Sequence, residues 1–198
     1  IEWNEKQQLD WLLLDYDAHR QMQDYVRELN RFYKENAPFW QIEDSWDGYQ
    51  WIDPSDGNRN MISYIRRDED GKEIVVIVNF APVAWEDCVI GVPDAVSYKA
   101  VLSSDEARFG GKGSDLGAMK VDRKTPCHGF PQSITLTVPP MSTLYLVGKP
   151  RPKRAPKAAP EKEKAAPAAK KTPAKKTAAK KPAAKKAPAK KKTSAKES

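Results

Sequence analysis

The glycine-rich stretch "FGGKGSDLG" (Phe109 to Gly117) is the first candidate for chemistry, because glycines leave backbone N–H groups free to face an anion. A phosphate-binding P-loop needs four residues between its first glycine and Gly-Lys-Ser/Thr, and a helix must follow. Here Lys112 is followed by Gly113, and no helical periodicity comes after it. The spacing therefore predicts a glycine-rich loop between strands rather than a phosphate site.

The cysteines and histidines suggest no metal or disulfide chemistry. Cys88 and Cys127 are the only cysteines and form no CxxC pair, and His19 and His128 have no partner ligands at metal spacing. A reducing cytoplasm is therefore the expected compartment. No apolar run approaches the roughly 20 residues that cross a bilayer, so no membrane partner is expected.

Charge divides the chain into two parts. Residues 149–198 carry 17 Lys and 2 Arg against 3 acids, a net charge of +16, whereas residues 1–148 carry −9. The basic part resembles linker-histone tails in its Lys, Ala and Pro composition, and we expect it to be a disordered, extended polyelectrolyte. Its natural chemistry is sequence-independent binding to nucleic-acid phosphates. The alternative is a solubilising or tethering tail that meets an acidic partner.

One amphipathic helix is predicted near the start of the chain. Between Tyr16 and Asn36, apolar side chains recur at steps of three and four, at Met22, Tyr25, Val26, Leu29, Phe32 and Tyr33. Asp15 or Asp17 is expected to cap its start, and Ala37-Pro38 should end it.

The remainder of the acidic part reads as short strands between turn signals. The strand segments are "GYQWID", "NMISYIRR", "EIVVIVNF", "CVIGV", "SYKAVLSS", "SITLTVP" and "TLYLVG". Asp70-Gly71 predicts a hairpin turn between the second and third. Because no helical segment interrupts this series, the pattern favours a mainly β fold built as an antiparallel sandwich.

Six sequence blocks, taken in order, resemble the C-terminal part of 1,4-α-glucan branching enzymes, which belong to the α-amylase superfamily. They are "EWNEKQQLDWLLLD", "MQDYVRELNRFY", "ISYIRR", "IVVIVNFAPV", "VLSSDEARFGGKGSDLG" and "SITLTVPPMSTLYLV". The resemblance implies that residues 1–37 end a catalytic (β/α)8 barrel with a rim loop and the final helix. It also implies that residues 38–148 form an all-β C-terminal domain, which leaves residues 149–198 as an added tail.

The resemblance implies retaining transfer of an α-1,4-glucan segment to an α-1,6 position, without cofactor or metal. Such transfer uses two carboxylates about 5–5.5 Å apart, and in this family they come from barrel strands that would lie upstream of Ile1. We therefore assign no catalytic residue to this chain and expect it to be inactive alone. We also expect the helix to be weakly held, because Met22, Val26 and Leu29 would face absent barrel elements.

The resemblance also implies a glucan subsite at Trp3, Asn4, Asp10 and Trp11, in a loop on the active-site side of the barrel. A tryptophan face suits the apolar C–H face of glucose, and neighbouring polar groups suit its hydroxyls. The alternative is that Trp11 begins the packing of the next segment with Leu12 and Leu13.

A second aromatic group lies around "GYQWID" and Trp46, close to several acids. The simpler interpretation places Tyr49 and Trp51 on the buried face of an edge strand. The alternative is a surface platform for glucan. Two further readings of the whole chain remain open, a non-catalytic glucan-binding or structural module and a nucleic-acid-associated protein defined by its tail.

Overall fold

The structure is a computed structural model that describes residues 4–6 and 8–152. The basic tail predicted from the sequence falls almost entirely outside the described residues. Within them, no helix has both the length and the apolar composition needed to span a membrane.

Two antiparallel sheets form the body of the described chain. The larger sheet has the order β1-β2-β3-β8-β5 and the smaller has the order β4-β7-β6. The strands are β1 (Tyr49–Asp56), β2 (Met61–Arg67), β3 (Glu73–Asn79), β4 (Trp85–Val92), β5 (Ser97–Ser103), β6 (Val121–Asp122), β7 (Gln132–Val138) and β8 (Ser142–Lys149). The predicted antiparallel arrangement is confirmed.

The main core lies between the two sheets. The larger sheet contributes Ile65, Val75 and Leu144, and the smaller contributes Ile90 and Ile134. Each of these side chains is almost fully buried, and such burial of apolar surface is the main source of stability in a sandwich.

The helix α1 (Asp17–Glu35) covers part of the outer face of the larger sheet. Phe32 is buried there, with its ring 5.2 Å from that of Tyr145. Strand β3 is consequently covered on both faces: Val75 and Ile77 face the main core, while Ile74 and Val76 lie under the helix. This explains its uninterrupted apolar run "IVVIV".

Two expectations about the helix need correction. Its N-cap residue is Tyr16, with no side-chain capping bond, because Asp15 ends a preceding 3-10 turn and Asp17 is already helical. Leu29 does not face absent elements, since it packs with Phe32 against the sheet. Met22 and Val26 are exposed, at 61% and 46%.

The hairpin between β2 and β3 is where the sequence places it. Gly71 has a φ of 78°, a conformation that glycine adopts without strain. The Asp68 carboxylate accepts the Lys72 backbone N–H at 2.7 Å and so closes the turn.

Candidate functional site: an aromatic shelf on the larger sheet

An aromatic cluster lies on the part of the larger sheet that holds β1 and β2. We call it the aromatic shelf and define it as Trp46, Tyr49, Trp51 and Tyr64. Tyr49 and Trp51 lie on β1, Tyr64 lies on β2, and Trp46 belongs to a short 3-10 turn that leads into β1. The shelf therefore combines two neighbouring strands with the turn that enters the first of them.

The favoured expectation that Tyr49 and Trp51 lie on the buried face of an edge strand is wrong. Strand β1 is an edge strand, but Ile52 is the residue that enters the core, at 6% exposure. Trp51 is 41% exposed on the opposite face. Because side chains alternate along a strand, the choice of one face for Ile52 places Tyr49 and Trp51 together on the other.

The rings of the shelf support one another in a defined arrangement. Tyr49 and Tyr64 are stacked, with centroids 5.2 Å apart and an interplanar angle of 23°. Trp51 stands edge-on to Tyr49 at 5.1 Å. Trp46 meets Tyr49 edge-on at 6.1 Å and remains 78% exposed. Two exposed indoles thus lie beside a tyrosine pair, in ring geometries that are individually favourable.

Polar groups surround these rings. A shallow depression of about 450 Å³ is lined by three members of the shelf, Trp46, Tyr49 and Trp51, together with Arg66, Glu43, Asp44 and Ser45. Burial and the neighbouring Tyr64 raise the pKa of Tyr49 to about 12, although the Arg66 guanidinium opposes the shift. Burial also raises the pKa of Tyr64. Both phenols therefore stay protonated at neutral pH and can donate or accept hydrogen bonds.

The sequence interpretation missed Tyr64 and Arg66 as members of this surface. The signal was present in "NMISYIRR", because Met61 and Ile65 alternate as the inward side chains. Tyr64 must then point outward, and it pairs with Trp51 in the β1–β2 register.

The first predicted subsite is only partly within the described chain, because Trp3 lies outside it. Asn4 accepts the Lys6 backbone N–H at 3.2 Å. Asp10 precedes a 3-10 turn without capping it, and Trp11 is 61% exposed. Leu12 and Leu13 are exposed beside Trp11. No hydrogen bond joins Asn4, Asp10 and Trp11 among the described residues, and a glucan subsite there stays a prediction.

The glycine-rich stretch lies between β5 and β6, as an irregular loop with a short 3-10 turn. Its backbone N–H groups face inward, because Lys112 and Ser114 donate to the Asp105 carboxylate at 3.1 and 2.8 Å. Burial raises the pKa of Asp105, but these N–H donors outweigh burial and the pKa is lowered overall. The donors that a phosphate would need are already occupied by this carboxylate.

The cysteines and His128 make structural contacts. Cys88 is buried and its sulfur receives an N–H from Arg59 at 3.1 Å. His128 Nδ1 accepts the Gly91 N–H at 3.1 Å. In the part of the chain that the structure describes, no three His, Cys, Asp or Glu side chains are grouped so that they could hold a metal ion.

Comparison with known proteins identifies a family. The family described as "Alpha amylase, C-terminal all-beta domain" matches residues 51–149. A 1,4-alpha-glucan branching enzyme GlgB from Halothermothrix orenii is 43% identical over 146 residues, which is 73% of this chain and 23% of that protein. The enzyme of the same name from Francisella philomiragia is 40% identical over 148 residues, 74% of this chain and 23% of that protein.

Among solved structures, the crystal structure of alpha-amylase from H. orenii aligns with a TM-score of 0.38 and 15% identity, over 64% of this chain and 20% of that chain. The chain spans less than a quarter of the length of the branching enzymes that it matches. Since the family match covers half of the 198 residues, and both sheets fall within it apart from the first two residues of β1, the chain belongs to the family of alpha-amylase C-terminal all-beta domains.

Proposed function

We propose that this chain is the C-terminal part of a 1,4-α-glucan branching enzyme, and that it holds α-glucan on the aromatic shelf. The parent enzyme would cut an α-1,4-glucan by retaining transfer and re-attach the segment through an α-1,6 bond. The 43% identity to a branching enzyme supports the assignment of the parent. The exposed indoles of Trp46 and Trp51 are the observation that carries the binding role.

The chemistry of the shelf suits a sugar. The C–H face of a glucose ring is apolar and can cover an indole, while its hydroxyls can bond to the protonated Tyr49 phenol. Glu43 and Asp44 line the same depression and can accept hydrogen bonds from further hydroxyls. The shelf supports glucan binding both in a branching enzyme and in a non-catalytic glucan-binding module.

A binding titration tests the role of the shelf. The full chain is titrated with maltoheptaose and, as a β-linked comparison, with cellohexaose, by calorimetry or tryptophan fluorescence. We expect Trp51→Ala to weaken maltoheptaose binding about tenfold, because covering one aromatic face is worth about 1–2 kcal/mol. The matched control is Trp40→Ala, which removes an indole that is 45% exposed outside the shelf. Equal affinities for wild type and Trp51→Ala would contradict the proposal.

The chain is interpreted either as part of a branching enzyme or as a free-standing glucan-binding module, and only the first interpretation implies a catalytic parent protein. The proposed parent enzyme takes its reacting carboxylates from outside this chain, so the purified chain is expected neither to branch amylose nor to hydrolyse it. An iodine-colour shift or new α-1,6 linkages above a buffer control would contradict this. Reading the gene upstream of Ile1 separates an enzyme part from a free-standing module.

The predicted subsite at Trp3, Asn4, Asp10 and Trp11 remains part of the proposal. Trp11→Ala in the same maltoheptaose titration tests it separately, because Trp11 lies outside the shelf. A loss of affinity in Trp11→Ala would place a second glucan contact in the loop before α1. The cytoplasm remains the expected compartment, as for an enzyme acting on stored glucan.

A second candidate function, nucleic-acid binding, is carried by the +16 charge of residues 149–198. Each phosphate that the lysines neutralise contributes roughly −0.9 to the slope of log affinity against log salt. We expect binding to duplex DNA that is indifferent to sequence and lost steeply as salt rises.

Truncation after Pro152 tests this and keeps Arg151, which donates to Ala95 and Asp94 at the end of the described chain. A gel-shift titration should show binding by the full chain and none by the truncated one. If both bind alike, or neither binds at low salt, the tail is a tether or a solubiliser.

A further inference from the structure

Arg66 joins the segment after α1 to the aromatic shelf. It lies on β2, two residues beyond Tyr64, and is half-buried. Its Nε donates to the Pro38 carbonyl at 3.1 Å, and its Nη2 donates to the Phe39 and Ile42 carbonyls at 3.0 and 3.3 Å. Its guanidinium carbon also lies 5.9 Å from the centre of the Tyr49 ring. One side chain thus contacts both a backbone segment and the shelf.

The three carbonyls belong to the segment that leads towards Trp46. Pro38 and Phe39 belong to a 3-10 turn over Ala37–Phe39, and Ile42 lies just beyond it. These carbonyls lie outside the ladders of both sheets, so the guanidinium supplies donors that the backbone there does not provide. Hydrogen bonds from a charged donor are stronger than those between neutral groups.

A close contact links the Ile42 carbonyl to the turn that begins at Trp46. A Cβ atom added at Gly48 would lie 2.1 Å from the Ile42 carbonyl oxygen, so no other residue fits while Ile42 stays in place. Gly48 ends the short 3-10 turn that begins at Trp46. The Ile42 carbonyl is therefore held by Arg66 on one side and abuts the Trp46 turn on the other.

We propose that Arg66 is a positioning residue for the aromatic shelf, an inference that rests on the glucan-binding role proposed above. Arg66 fixes Ile42, Ile42 fixes the Trp46–Gly48 turn, and the turn presents the Trp46 indole before the sugar arrives. Trp46 has few other supports, since it is 78% exposed and its ring meets that of Tyr49 only edge-on. Without this arrangement, binding must also order the Trp46 segment and is weaker as a result.

Lysine cannot take over this role. A planar guanidinium reaches three carbonyls in fixed directions, whereas an ammonium is a single point of charge on a flexible stem. Arg66→Lys therefore keeps the positive charge near Tyr49 but removes the set of hydrogen bonds to the three carbonyls. The matched control is Arg67→Lys at the next position, where the arginine binds Glu73 and Gln50 instead.

A double-mutant cycle on the full chain tests the proposal, with maltoheptaose as the probe. We expect Arg66→Lys to weaken binding about threefold to tenfold, the effect of ordering one or two side chains on association. Arg67→Lys should bind as wild type does. If Arg66 acts through Trp46, the double variant Arg66→Lys/Trp46→Ala should bind no more weakly than Trp46→Ala alone.

A second variant, Gly48→Ala, displaces Ile42 while Arg66 is intact, and it should weaken binding similarly. Wild-type affinity in Arg66→Lys, or additive losses in the double variant, would overturn the positioning role. These outcomes differ from those that would contradict glucan binding by the shelf. In that case wild type would not bind maltoheptaose, or Trp51→Ala would bind it with wild-type affinity. Thermal unfolding of each variant separates a binding loss from a loss of fold.

Discussion

The side-chain amide of Asn79, at the end of β3, donates to the Pro139 carbonyl at 2.8 Å, across the loop that precedes β8. The same amide nitrogen donates to the Val83 carbonyl at 2.9 Å, and the Asn79 side-chain oxygen accepts the Ala81 N–H at 2.9 Å. Asn79 is 1% exposed, so no bulk water can replace these bonds. One side chain therefore joins two loops at the same end of the sandwich.

Asn79→Ala should lower the free energy of unfolding by about 2–4 kcal/mol, because it leaves buried carbonyls without donors. Urea unfolding at neutral pH measures the change. Asn30→Ala, at an exposed position of α1, is the control and should change stability by less than about 0.5 kcal/mol. A similar small effect at both positions would mean that the loops at Asn79 find other donors.

Substitution of Ser63 should not destabilise the fold as substitution of Asn79 does. The Ser63 hydroxyl oxygen is buried in the larger sheet without a hydrogen-bond partner among the described residues. Ser63→Ala should leave the free energy of unfolding unchanged or raise it by up to about 1 kcal/mol, since an unpaired buried hydroxyl is unfavourable. Ser103→Ala is the control: this buried hydroxyl accepts the Asp105 N–H at 3.1 Å, and its loss should cost about 1 kcal/mol. A cost at Ser63 equal to that at Ser103 would show that the Ser63 hydroxyl has a partner.

Helix α1 should be held unevenly along its length. Phe32 is buried against the sheet, and Phe32→Ala should cost about 3–5 kcal/mol. Met22, one face of which is open to solvent, should tolerate Met22→Ala within about 0.5 kcal/mol. The backbone amides around Leu29 and Phe32 should accordingly exchange their hydrogens more slowly than those in the first two turns. Equally fast exchange throughout would support the original expectation of a weakly held helix.

The strands were predictable where apolar residues dominate both the pattern and the burial. The segment Glu73–Asn79 is an example, because its apolar run consists entirely of the β-branched residues Ile and Val, which favour a strand. The two-residue strand β6 was missed, since Val121–Asp122 gives neither alternation nor length. Short strands of this kind form only because a neighbouring strand, here β7, offers them hydrogen bonds.

The shelf was harder to predict, because the segment Tyr49–Ile52 has apolar residues at both alternating positions. Two aromatic residues suggested one buried face and Ile52 the other, and sequence alone gives no rule for choosing. In the folded chain, the cluster under the helix draws its buried sheet residues from β3 and β5, and Tyr64 of β2 packs at its margin, whereas no residue of β1 belongs to it. Which part of a sheet a helix covers depends on tertiary packing rather than on local pattern.

The loop between β5 and β6 should be sensitive to acid, because the Asp105 carboxylate organises it. Backbone N–H groups from Lys112 and Ser114 bind the ionised form, and the pKa of Asp105 is lowered although burial opposes the shift. A lowered pKa in the folded state means that the stabilisation is complete above the pKa of Asp in the unfolded chain, about 3.9, and is lost as the pH falls through the folded value.

Asp105→Asn tests this, since it keeps the shape of the side chain while removing the charge and one of the accepting oxygens. At pH 7 the free energy of unfolding should be about 1–2 kcal/mol lower for the variant than for wild type, because two charge-assisted hydrogen bonds are weakened. The difference should be the same at pH 5 and should shrink as the pH is lowered towards 3, because Asp105 of the unfolded wild-type chain takes up a proton before the folded carboxylate does. Asp70→Asn, at an exposed turn position, is the control and should change the free energy of unfolding at pH 7 by less than about 0.5 kcal/mol. A wild-type-to-variant difference that stays constant from pH 7 to pH 3 would mean that shape, and not the charge of Asp105, holds the loop.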